Sequence, residues 1–180
     1  MIYLEFEVTN EDQILAVIPW VDQKSVEFLK ISAIGKFDLL YIGKLLESEG
    51  FRNFQNSIHI SKNSGRIQDF LHFSNVTVNF ERISVADFAD LKEKFLTTPH
   101  LESVDIRLTN PIENWEFSEI SDIFGPLFED TNYMGGRRER WFFRCRNGDT
   151  VLFVDFKAHA IQFLRILETE VPRNAIVMLQ

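Results

Sequence analysis

Four stretches of the chain share one spacing of apolar residues, apolar-x-x-apolar-x-apolar: Met1, Leu4, Phe6; Val26, Leu29, Ile31; Phe73, Val76, Val78; and Leu101, Val104, Ile106. A fifth copy keeps Ile58 and Ile60 but has Gln55 at its first place. The last two apolar positions of each copy lie two residues apart, the period that puts side chains on one face of a strand. The residues between and after them then point the other way. Those outward positions are Glu5, Glu7, Lys30, His59, Thr77, Asn79, Asp105 and Arg107, and they are the candidate partner-binding row.

Between the copies the spacing changes from two to three or four, as a helix requires. Ser84 with Asp87 has the form of a capping box, and behind it Val85, Phe88, Leu91 and Phe95 recur at helical spacing until Pro99. Phe37, Leu40, Tyr41 and Leu45 predict a second helix, closed near Gly50. Ile14, Leu15 and Ile18 predict another after Thr9-Asn10, cut off by Pro19. Ile120, Ile123, Phe124 and Leu127 predict one broken by Gly125-Pro126, and Ile67, Phe70 and Leu71 suffice for a short helix or 3₁₀ turn. Each unit is therefore a strand followed by a helix. The triplet has the form of the Leu-x-x-Leu-x-Leu pattern, so the expected fold is α/β (α+β), a leucine-rich-repeat-like strand-helix solenoid over residues 1–110.

Residues 111–180 are expected to form a helix and an antiparallel meander continuous with that stack. Residues 141–146, 151–156 and 160–166 are rich in aromatic and β-branched side chains. Asn147-Gly148 accepts the positive φ angles of a tight hairpin, and Lys157-Ala158-His159 turns the third strand back. A meander of this kind closes the exposed end of a strand-helix stack.

Composition narrows the function classes. At 180 residues and 45% hydrophobic, the chain is long enough to bury a sizeable core. Its 18 phenylalanines supply stiff rings with no polar group to satisfy. No apolar stretch approaches the roughly 20 residues that span a bilayer, so no membrane partner is expected. Acids stand near the N-terminus where a secretory signal carries bases, and Cys145 has no second cysteine to pair with. Both features predict a cytoplasmic or nuclear protein.

A net charge of −8 sets a field that repels phosphate backbones, so nucleic acid is not the expected partner. The alternative function rests on one local exception. Arg137, Arg138, Arg140, Arg144 and Arg146 are interleaved with Trp141, Phe142 and Phe143, a composition that stacks bases and pairs phosphates in RNA or ribonucleoprotein binding. The plainer alternative turns the aromatics to the core and leaves the arginines on a strand edge.

No catalytic residues are assigned. Cys145 sits among core aromatics and lacks the small-residue turn that exposes a nucleophile. The four histidines, at 59, 72, 100 and 159, lack ligand spacing, so no metal and no cofactor are expected. Gly135-Gly136 lacks the Lys-Ser/Thr of a phosphate loop, and Asn75-Val76-Thr77 is a glycosylation sequon lying within a strand.

Residues 71–99 carry the combination Ile83-Ser84-Val85-Ala86-Asp87 followed by Leu91-Lys92-Glu93-Lys94-Phe95-Leu96. Further on come Ile123-Phe124-Gly125-Pro126, Trp141-Phe142-Phe143-Arg144, Phe163-Leu164-Arg165-Ile166 and Val171-Pro172-Arg173-Asn174-Ala175-Ile176. In this order the motifs resemble the FTH domain of nematode F-box proteins, and residues 1–60 resemble the leucine-rich-repeat-like segment preceding it. The resemblance implies a non-enzymatic protein-interaction domain for cytosolic partners, similar to the substrate-recognition region of cullin ubiquitin ligases. No F-box motif precedes the first triplet. The resemblance therefore gives no reason to expect this chain alone to bind the Skp1 adaptor.

Overall fold

The computed structural model describes residues 2–35, 39–110, 114–128, 139–146, 149–157 and 159–179, with residues 114–117 described by their backbone alone. These form a mixed α/β structure of nine strands and five α-helices in two compact units, Met1–Glu81 and Arg82–Gln180. The boundary expected near residue 110 lies within the second unit. Met1, Phe37, Gly135-Gly136, Arg137, Arg138, Asn147-Gly148 and Ala158, all singled out above, lie outside the described residues.

The first unit is a parallel sheet of β1 (Ile2–Val8), β2 (Val26–Ala33), β3 (Ser57–Ile60) and β4 (Asn75–Phe80), side by side in chain order. The triplets align across it. Leu4, Leu29, Ile58 and Val76 share one row, and Phe6, Ile31, Ile60 and Val78 form the next inward row. A one-residue slip would turn every one of these side chains to the other face, so the repeated spacing specifies the register. The incomplete copy is completed by a neighbour: Gln55 is exposed and Phe54, one residue earlier, is buried instead.

Helical segments supply the rest of this core. α1 (Glu11–Leu15) starts at Asn10, whose side chain accepts from the Gln13 N–H at 3.3 Å, and buries Ile14. A 3₁₀ turn, Ile18–Trp20, follows with Pro19 inside it. The helix expected over Phe37 to Gly50 is displaced. Leu40 forms a β-bridge with Asn63, and the helices are α2 (Gly43–Glu47) and α3 (Glu49–Arg52). The expected 3₁₀ turn is Ile67–Phe70. Phe51 packs on Phe54 and edge-on to Phe73, with centroids 6.5 and 5.6 Å apart.

Gly50 does not close a helix; it lies within α3. A side chain there would run into Ile18 Cγ2, and Ile18 is buried and β-branched, with little freedom to yield. Gly50→Ala is therefore expected to destabilise the chain by about 1–3 kcal/mol, despite the better helix propensity of alanine. A urea midpoint at or above that of the wild type would show that the contact relaxes freely.

The second unit holds α4 (Val85–Thr97), β5 (Ser103–Leu108), α5 (Asn114–Phe124), β6 (Glu139–Arg144), β7 (Thr150–Lys157), β8 (Ala160–Leu167) and β9 (Val177–Met178). The capping box stands as expected, with Ser84 Oγ accepting from the Asp87 N–H at 3.1 Å and the Asp87 carboxylate accepting from the Ser84 N–H. β6, β7 and β8 form the expected meander. β8 also pairs antiparallel with β5, and β9 adds a parallel strand to β6 that the sequence pattern did not indicate. α4 and α5 pack together, and their rings meet the sheet: Phe95 on Phe163, Phe88 on Phe156, and Phe124 on Trp141, Phe143 and Phe163.

Candidate functional site

Strand alternation turns one residue in two away from the core, and the parallel register sets those residues in rows. In the first unit Glu5, Lys30, His59 and Thr77 stand in one row across all four strands. Glu7 lies beside Ser32 in the next row. Asn79 follows Thr77 on the same face of β4. Glu5 and Glu7 are exposed, and Lys30, His59, Thr77 and Asn79 are half-buried. Six of the eight expected partner-binding residues thus share one face of one unit. The other two, Asp105 and Arg107, belong to β5 in the second unit, where their side chains approach each other to 3.7 Å.

Lys30 Nζ donates to Glu5 Oε1. That hydrogen bond holds the Glu5 carboxyl below its ordinary range and raises the Lys30 ammonium above its own. Both side chains keep about a third of their surface in water, so the pair orients two charges on the face more than it stabilises the fold.

One feature of this face was not among the expected site residues. Tyr3 and Phe28 occupy the row before Glu5 and Lys30, stacked with centroids 5.0 Å apart and planes 7° from parallel. Tyr3 is 52% exposed. Each precedes the first strand leucine of its copy by one residue, Tyr3 before Leu4 and Phe28 before Leu29, so the same alternation assigns it outward. Ser57 and Asn75 continue that row. The face thus combines a stacked aromatic pair, an oriented ion pair and short polar side chains.

The arginine-aromatic strand is arranged otherwise. Trp141, Phe142 and Phe143 are all buried, so none offers a ring face to a base. The expected sorting of aromatics from arginines fails at Phe142: alternation gives it the same side of β6 as Arg140 and Arg144. It is covered there by Phe128, whose ring stands edge-on with centroids 5.7 Å apart, and by Phe153, which stacks on it at 5.2 Å. Nor does β6 form an edge, since β9 pairs with it. The described arginines face carboxylates. Arg140 Nε lies 3.5 Å from the buried Asp155, Arg144 makes a two-point contact with Glu168, and Arg146 lies 3.9 Å from Glu93. These pairs neutralise charges that phosphates would need.

Cys145 is a buried free thiol just beyond the end of β6, where its N–H donates to the Thr150 carbonyl at 3.0 Å. Among the described residues, no three His, Cys, Asp or Glu side chains are grouped to hold a metal ion. Among the same residues, no helix is long and apolar enough to cross a membrane.

The sequence model of the FTH domain family matches residues 3–127. The matched span takes in residues 3–60, part of the stretch that the motif resemblance sets apart as a preceding segment. It ends before the motifs at residues 141–144, 163–166 and 171–176. None of the curated proteins and none of the solved structures matches the chain.

Proposed function

We propose, from the premise that this chain belongs to the FTH domain family, that it is a non-enzymatic protein-interaction domain of the cytoplasm or nucleus. Its strand-helix units stack in the manner of leucine-rich repeats, and the partner lies across the outward face of β1 to β4. The observation that carries the reading is the alignment of Glu5, Lys30, His59 and Thr77 in one row beside the stacked Tyr3 and Phe28. An aromatic pair with Tyr3 exposed and Phe28 half-buried, next to fixed charges, supplies both an anchor and a means of orienting a partner. A partner of the kind a cullin ligase would receive as substrate is the reading that the motif resemblance to nematode F-box proteins supports.

The test is co-purification from the source cells with the tagged chain and with a Tyr3→Ala, Lys30→Glu, His59→Ala variant. Loss of an aromatic anchor and reversal of a charge are expected to weaken capture of a specific protein by roughly thirtyfold or more, while circular dichroism stays that of the wild type. Capture should fall less steeply with salt than phosphate binding does, because a mixed apolar and polar protein contact lacks the counterion release of a phosphate backbone. Equal capture by both chains would discard this face.

A further inference from the structure

We infer that β1 accepts an extended segment of a partner protein as an added strand, and that this segment alternates apolar with basic residues. The inference rests on the protein-interaction reading and adds a binding mode, since it uses the backbone edge of the sheet as well as its face. β1 ends the strand order of its sheet, and no described strand lies beyond it. An end strand presents a line of unpaired N–H and C=O groups, a template for another chain.

Two further observations favour an added strand and specify its chemistry. First, the inward rows are closed on β2, β3 and β4 but open on β1. Leu29, Ile31, Ile58, Ile60, Val76 and Val78 are all buried, whereas Leu4 and Phe6 in the same rows remain half-buried. A strand laid about 4.8 Å beyond β1 would bring its own inward residues, two apart, beside Leu4 and Phe6. Second, the outward residues of that strand would stand beside Glu5 and Glu7. Glu5 already meets Lys30, but Glu7 has only Ser32 across from it on β2. An opposite charge beside Glu7 is favourable and a like charge is not.

The same charges argue against a second copy as the occupant. A parallel copy of β1 sets Glu5 against Glu5 and Glu7 against Glu7, and an antiparallel copy centred on Glu5 sets that residue against itself. A chain of net charge −8 also draws basic segments in preference to acidic ones.

The experiment titrates the isotope-labelled full chain with a peptide of alternating valine and lysine as long as β1, followed by NMR shifts and amide exchange. Its controls are the same peptide N-methylated at alternate backbone nitrogens, and a valine-glutamate peptide. The expected result is shift changes and slowed exchange in Ile2–Val8, with each control binding about tenfold more weakly or worse. Glu7→Lys should invert the preference between the lysine and glutamate peptides. Equal binding of the N-methylated peptide, or no change at β1, overturns the added strand. Concentration-dependent self-association with protection of β1 overturns it too, by making a second copy the occupant. Shifts confined to Lys30, His59 and Thr77 would leave the face in place and remove the edge.

Discussion

Replacing Trp141 with alanine is expected to destabilise the protein by about 3–5 kcal/mol, read as a lowered urea midpoint. The indole is completely buried. It stands edge-on to Phe124 at 5.3 Å and to Phe156 at 6.3 Å between centroids, so its removal leaves a void bordered by two rings that cannot both move in. Its Nε1–H also donates to the Gly125 carbonyl at 3.0 Å. Gly125 has φ of 82° and ends α5, so the hydrogen bond ties the terminus of that helix to β6. Trp141→Phe separates the two contributions. It keeps most of the packing and loses the donor, and should cost about 1–2 kcal/mol. An alanine variant within about 1 kcal/mol of the wild type would mean that the ring cluster is loosely held.

The parts of the fold that could be read from the sequence are those set by residues close together along the chain. Leu29 and Ile31, or Val76 and Val78, announce a strand by their own spacing, and repetition of that spacing aligns the strands. Ser84 and Asp87 announce a helix start because both partners of the capping box lie within one turn. The outward row was legible for the same reason, and Tyr3 and Phe28 lay within reach of that argument.

What could not be read depends on contacts across the chain. Gly50 has the sequence look of a helix stop, and only the nearness of Ile18 reveals it as a point of close approach. Phe142 reads as one of three consecutive core aromatics. Strand alternation puts it on the face opposite Trp141 and Phe143, and it is buried because Phe128 and Phe153 cover it there. β9 has two residues, too few for any period to appear. The arginines of β6 carry a nucleic-acid composition, but Asp155 and Glu168, distant in sequence, occupy them. Composition counts charges without their partners, and that is why it exaggerated this strand.

Arg165 shows the same limit at its sharpest, and its removal is expected to cost about 3–4 kcal/mol. In the sequence it is a polar residue in the third strand of the meander. In the structure its guanidinium donates to the carbonyls of Phe95 at 2.6 Å, Thr98 at 3.0 Å and Leu101 at 2.9 Å, and to Thr150 Oγ1 at 3.2 Å. The first two acceptors lie at the end of α4, where unpaired carbonyls and the helix dipole favour a cation. The third leads into β5. One side chain thus satisfies the turn from helix to strand and fixes it to β7 and β8, while its Cζ lies 5.8 Å from the Phe95 ring centre. Arg165→Met keeps the aliphatic stem and leaves these acceptors without their donor. Arg165→Lys restores the charge, but a single ammonium cannot reproduce a planar fork of donors, so it should recover less than half of the loss. Urea unfolding of the three chains measures this directly. A lysine variant as stable as the wild type would show that charge at the helix end suffices, and that the fork geometry contributes nothing.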